Sequence, residues 1–358
     1  MVKVIGHRSS GERINVLCPP IERFENSMSQ HTGPLGLMCR STSAGTCAKR
    51  KGGMFCAPLG DPDRRRSGNM VPRSAQVHKW SRFPIETTCF WLHPALRTHY
   101  TVERVAVELA DANERLAASV PGHTESMAGF CSLVRAAYVA DVCRGEATGT
   151  QTIAATEAAL ACSGDATRTG DQDQERACRK ARNVADALDF VTTRDSDAFD
   201  TDFIVRLHEM VLCGFDEQWP GRYREQMARP AGQAWFLYLT PCLIGEKLDE
   251  LCREISAWRV DTCIEAAKRA SVFMARFLLI HPFRNGNGRV ARLVVSWLMR
   301  QWSIVPLSIM YGENGRDTYL TCLEHAHLEN DASPGSLALL ILWCGMASTR
   351  NACYAMDL

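Results

Sequence analysis

The sequence predicts a mainly α-helical bundle carrying one short β-hairpin flap. From about residue 100 onward, segment after segment places apolar residues at helical spacing. One stretch, 221–243, breaks that pattern toward aromatic and β-preferring residues between Gly and Pro punctuation. No block of 20–50 residues repeats, which argues against a solenoid.

The first helix is expected over 101–120, with Thr101 as N-cap and with Val105, Leu109, Leu116 and the neighbours of Ala112 on one stripe. Further helices follow over 127–143, 152–161, 174–191, 200–213, 246–258 and 261–280. Beyond a polar turn the series closes with 289–302, 315–328 and 334–347. The segment "GRYREQMARPAGQAWFLYLTPCL" (221–243) reads as the short hairpin or extended flap. Residues 1–75 are rich in Gly, Pro, Ser, Arg and Cys without sustained period, and read as a basic, disordered arm. The division expected is therefore this arm, an N-terminal helical region over 76–195, and a core over 196–350.

The net charge of +1 conceals an asymmetry: residues 1–75 carry 12 Lys/Arg against 5 Asp/Glu, and the remainder 29 against 35. A basic arm can touch nucleic acid, but no helix-turn-helix pattern or zinc spacing accompanies it, so a solvated arm is the reading. No apolar run reaches the roughly eighteen residues of a membrane span, and "MVKVIGHRSS" lacks a signal-peptide core. Sixteen cysteines occur without any C-x-x-C pair, and most sit in helical patterns as small apolar residues would. Free thiols in a reduced, cytoplasmic protein without a thiolate metal site are expected.

The chemistry concentrates in "HPFRNGNGRVAR" (281–292). Pro282 disfavours helical geometry at His281, so the preceding apolar helix ends there. Asn and Gly then tolerate a tight left-handed turn, and a new helix begins near Gly288. Its first N–H groups have no intrahelical partner, and glycine lets an anion approach them closely. Arg289 and Arg292, three apart, share one face and can converge on one anion. His281 at the lip can take a proton from a hydroxyl near neutral pH, since imidazole titrates near about 6.5. A base beside a polyphosphate cradle describes phosphoryl or nucleotidyl transfer to a hydroxyl. Neither a Walker-type phosphate loop nor a dinucleotide fingerprint is present.

This stretch resembles the signature of the Fic (Fido) family, H-P-F-x-[D/E]-G-N-G-R-x-x-R, agreeing at every fixed position but the fifth. "AASVFMARFLLIHPF" is similar to the helix that enters the motif, "YGENGRDTYLTCLEHAH" to the segment after it, and "PGRYREQ" to the G-x-[FY]-R element before the flap. The resemblance covers about residues 100–345 and implies a Fic-type helical bundle with a β-hairpin flap. It also implies transfer of AMP from ATP to a Ser, Thr or Tyr hydroxyl of a target protein, with Mg²⁺ or Mn²⁺. Carried over, His281 would be the general base, and Gly286, Asn287 and Gly288 the anion hole for the α- and β-phosphates. Arg289 would hold phosphate oxygens and Arg292 the terminal phosphate, with Phe283 buried behind the loop. The flap around Trp235–Thr240 would align the target as an added strand.

Two positions depart from the family pattern. Asn285 replaces the usual metal-binding Asp or Glu, which weakens metal binding and leaves room for transfer of another phosphate-containing group. "GEATGTQTIAATE" (145–157) resembles the surroundings of an inhibitory [S/T]-x-x-x-E-[G/N] helix, but Thr148 stands where Glu is expected, and Glu146 precedes Ala147. The self-restraint has then either decayed, the preferred expectation, or is served by Glu146 in shifted register. A catalytically impaired nucleotide-binding module is the rival from outside the enzymes. Homo-oligomerisation is left open.

Overall fold

The computed structural model describes residues 4–7, 13–16, 83–86, 89–92, 97–119, 124–161, 172–194, 198–215, 219–230, 237–310, 314–328 and 333–356. Near the N-terminus, β1 (Val4–His7) pairs antiparallel with β2 (Arg13–Val16), Val4 opposite Val16. The rest of the 1–75 arm lies outside the described residues.

Ten helices are described: α1 (Val102–Ser119), α2 (Thr124–Gly145), α3 (Ile153–Ala161), α4 (Gln172–Thr193), α5 (Thr201–Val211), α6 (Ile244–Ala257), α7 (Cys263–Ile280), α8 (Asn287–Met299), α9 (Gly315–Leu328) and α10 (Gly335–Ala355). A short 3-10 turn, Pro241–Leu243, leads into α6. The expected stripe on α1 is buried at Val105, Leu109, Ala112 and Leu116, and the Arg104 N–H donates to the Thr101 hydroxyl. Asp200 caps α5 through the Phe203 N–H at 2.8 Å, and Thr262 caps α7 through the Glu265 N–H at 3.2 Å.

The central element is α7, buried from Ala266 to Ile280 apart from Lys268 and Arg269, and flanked by α6, α8, α9 and α10. Helix α8 is almost as deeply buried, including Arg289 and Arg292. A helix buried all round must satisfy its polar side chains internally. Arg276 of α7 does so with a direct ion pair to Glu254 of α6, with Glu250 3.9 Å away.

The helical class is as expected; the hairpin is not seen among the described residues. Trp235 and Phe236 lie outside them, and residues 221–230 and 237–240 form no strand. Their backbone bonds go elsewhere: Tyr238 N–H to the Ala228 carbonyl at 3.0 Å, and Leu239 N–H to the Leu279 carbonyl at 3.4 Å. Tyr223 makes one isolated antiparallel bridge, to Phe283. Among the described residues, no helix is long and apolar enough to cross a membrane.

Candidate functional site

Helix α7 ends on His281, which takes a left-handed conformation (φ 49°, ψ 60°) while its N–H still bonds the Phe277 carbonyl at 2.8 Å. A non-glycine residue rarely adopts this conformation, so surrounding contacts must hold it. Arg224 supplies them. Its Nε donates to the His281 carbonyl at 2.8 Å, Nη1 to Gln226 at 2.8 Å, and Nη2 to both Leu239 and Ile280. One guanidinium thus caps the last carbonyls of α7 and ties the flap segments to them.

The His281 imidazole stacks on Tyr238, with ring centroids 3.9 Å apart and planes 8° apart. Burial, with Arg224 acting in the same sense, lowers its pKa to about 4. The ring is therefore neutral at pH 7 and able to accept a proton.

The turn beyond it is pinned from behind. Phe283 is fully buried, and the Asn287 side chain bonds its backbone twice, accepting from the Phe283 N–H at 3.0 Å and donating to its carbonyl at 2.8 Å. The Asn287 amide is thereby committed to the loop, and the group it can offer an anion is its backbone N–H. Gly286, at φ 80°, precedes α8 without a side-chain cap, and the first intrahelical bond runs from the Val290 N–H to the Gly286 carbonyl. That leaves the N–H groups of Asn287, Gly288 and Arg289 without an intrahelical acceptor, at the positive end of the helix dipole.

Arg289 is buried, and its Nε and Nη1 have no hydrogen-bond partner; Nη2 reaches the Asn285 Oδ1 at 3.5 Å. A buried guanidinium with free donors is costly unless an anion completes it. Arg292, 1% exposed, donates to the Val142 carbonyl at 3.1 Å and to the Glu146 carboxylate at 2.8 Å. Glu146 sits so close to the helix start that a Cβ on Gly288 would lie 2.1 Å from its Oε1. Burial would raise the Glu146 carboxyl, but Arg292 and Arg289 outweigh it and hold its pKa below the ordinary range.

Glu146 therefore reaches Arg292, the contact that the shifted-register reading requires. Thr148, where the similarity placed Glu, instead accepts a hydrogen bond from Lys180. What the pattern hid is Ala147, which takes the left-handed conformation (φ 48°) usually filled by Gly or Asn. Asn285 is exposed, and its Oδ1 accepts from the Gly286 N–H at 2.7 Å.

Two side chains of the site carried no role in the sequence reading. Arg224 lay within a quoted family element, without any sign of its four carbonyl partners. His208 of α5 stacks flat on Phe283 (3.7 Å, 5°), and its Nε2 meets the Asn285 carbonyl at 3.0 Å. Only its helical spacing was visible in advance.

The fold and site together define a helical bundle with N–H groups lacking an intrahelical acceptor at the start of α8, a neutral histidine on the turn before them and a carboxylate on the second arginine. Comparison with known proteins places this class. The Fic/DOC family profile matches residues 198–299. A Fido domain-containing protein of Dictyostelium discoideum is 30% identical over 127 residues, which are 34% of this chain and 83% of that protein. The chain belongs to the Fic/Fido family. Protein adenylyltransferase fic-1 of Caenorhabditis elegans is 29% identical over 118 residues, 32% of this chain; the match spans 22% of the worm protein's length. Among solved structures, a Fic family protein from Desulfovibrio desulfuricans superposes with a TM-score of 0.58 at 19% identity, covering 77% of this chain and 78% of that one. Residues 134–508 of C. elegans Fic-1 superpose at 0.55 and 21% identity, covering 72% and 73%. These superpositions speak for the fold.

Proposed function

We propose that this chain is a protein adenylyltransferase that moves AMP from ATP to a Ser, Thr or Tyr hydroxyl of a target protein, and that Glu146 restrains it. The observation that carries the reading is the pairing of a neutral His281 with a cradle whose Arg289 keeps two buried donors unpartnered. The similarity to an adenylyltransferase of C. elegans supports the choice of AMP.

On this reading the α- and β-phosphates lie on the N–H groups of Gly286, Asn287 and Gly288, with Arg289 on their oxygens. The target segment runs beside the flap over 237–240. Its hydroxyl oxygen attacks the α-phosphorus while His281 Nε2 takes the hydroxyl proton. The bond to the β-phosphate oxygen breaks, and pyrophosphate leaves with the electron pair, its charge stabilised by the cradle. Arg292 would hold the terminal phosphate, and Glu146 occupies it in the restrained state.

A divalent cation finds a poor protein ligand here. Mg²⁺ ordinarily binds one or two carboxylates beside phosphate oxygens, and Asn285 offers a neutral oxygen that already accepts from Gly286. Among the described residues, no cluster of three His, Cys, Asp or Glu could hold a metal. No step above depends on one. A reducing, cytoplasmic setting suits the described cysteines, all eleven of which stand as free thiols.

The test is incubation with α-labelled or γ-labelled ATP, Mg²⁺ or Mn²⁺, and candidate targets or the protein itself. The expected result is label from the α position, increased at least severalfold in Glu146→Gly and lost in His281→Ala. Label from γ alone would reassign the reaction to phosphorylation. Equal labelling of Glu146→Gly and His281→Ala at background would leave the impaired binding module.

A further inference from the structure

The cradle N–H groups serve an anion only if they point at it, and the Asn285–Gly286 peptide leads into a glycine at positive φ. Gly286 is in the left-handed region, where glycine accepts either orientation of the preceding peptide at small cost. Its neighbour Asn285 is exposed and reaches the peptide through its own Oδ1, on the Gly286 N–H. Something buried must choose the orientation.

We propose that His208 is a positioning residue that fixes this peptide, turning the Gly286 N–H toward the phosphate site. The inference rests on the reading of the cradle as a nucleotide-phosphate site. The His208 ring is 1% exposed and lies flat on Phe283, so it cannot swing. The Gly221 N–H donates to Nδ1 at 3.0 Å, which makes Nδ1 the acceptor and leaves the ring proton on Nε2. Nε2–H then donates to the Asn285 carbonyl at 3.0 Å. A planar trans peptide points its carbonyl and N–H in opposite directions, and no cis bond occurs among the described residues. With the carbonyl drawn inward to His208, the Gly286 N–H faces outward. There it meets the Asn285 Oδ1 at 2.7 Å, an acceptor that a phosphate oxygen, being charged, displaces. The ring also closes the space behind the turn: a Cβ on Gly286 would lie 3.4 Å from its Cδ2.

Without the Nε2 donor, the peptide would populate the flipped state, which presents a carbonyl to the phosphate. The bond therefore acts on anion affinity, whereas a purely packing role would act on stability alone. The experiment uses the full chain in a Glu146→Gly background, so that the carboxylate does not compete, with glycine-selective ¹⁵N labelling and ADP titration. His208→Leu is expected to double or broaden the Gly286 cross-peak before any ligand is added, and to weaken ADP about tenfold, the scale of one such bond. His208→Gln, which keeps an N–H donor of similar reach, is expected to restore a single peak and most of the affinity. Should His208→Leu not fold, His208→Asn, too short to reach the Asn285 carbonyl, carries the same expectation. A folded donor-less variant with an unchanged Gly286 peak and ADP affinity within about twofold would overturn the proposal, as would a His208→Gln variant as weak as His208→Leu. Absence of ADP affinity in the Glu146→Gly parent would instead remove the nucleotide reading, while the Gly286 peak still decides the peptide's orientation.

Discussion

His281 and Glu146 each keep one charge state across neutral pH, because the pKa of each is depressed. A base held near pKa 4 is in its working, neutral form at every pH well above that value. In Glu146→Gly, transfer measured as kcat/KM is therefore expected to stay flat, as far as this group is concerned, from about pH 5.5 to 8 and to fall only toward pH 4. A limb centred near the ordinary imidazole value of about 6.5 would show that His281 is solvated in the working enzyme and not buried as described. Glu146 has the depressed pKa of a carboxylate facing cations, so its pairing is fully present above the ordinary carboxyl value of 4.5 and is lost only as pH falls through its lower folded value. The pairing is thus constant across neutral pH, and its release calls for displacement, not protonation. The left-handed Ala147 beside it costs of order 1 kcal/mol relative to glycine, which makes the arm holding Glu146 easier to move.

The helices set these residues by burying polar anchors along α7 and α8. Arg276 of α7 faces Glu254 and Glu250 of α6, and removing one partner leaves a charge in the core. Glu254→Leu is expected to cost about 3 kcal/mol in urea unfolding, and the pair Arg276→Met with Glu254→Leu to recover most of it. A double variant as unstable as the single one would assign the loss to packing. Such anchors explain what was legible in the sequence. Helix α1 was readable because its stripe faces a core on one side only, whereas α7 and α8, buried all round, were located by their apolar content and by Pro282. His281, the turn and both arginines were legible because local spacing brings them together. Arg224 and His208 were not, since the carbonyls that tie them to the turn, those of His281 and Asn285, lie 57 and 77 residues away. Glu146 was blurred because its register depends on a backbone conformation at Ala147 that alanine does not advertise.

At the scale of the molecule, the Arg292–Glu146 bond joins the end of α2 to the heart of α8, across 146 positions of chain. It links the N-terminal helices to the cradle, so occupancy of the cradle and attachment of that region draw on one arginine. In the empty protein, Glu146→Gly strips a buried cation of its carboxylate, leaving the Val142 carbonyl, the Tyr319 hydroxyl, the Met310 sulfur and the charge of Asp141. A loss of about 1–3 kcal/mol follows, discounted because the Glu146 side chain is one quarter exposed. If the chain binds ATP as proposed, the order reverses. The terminal phosphate of ATP can reach Arg292 freely only in the variant, and a ligand at a hundred times its Kd stabilises by about 2.7 kcal/mol. Thermal unfolding is therefore expected to show Glu146→Gly below the parent without nucleotide, with a clearly larger upward shift on adding ATP than the parent shows. Equal shifts in the two proteins would mean that the carboxylate and the phosphate do not compete, and Glu146 would then be a structural tether between α2 and α8.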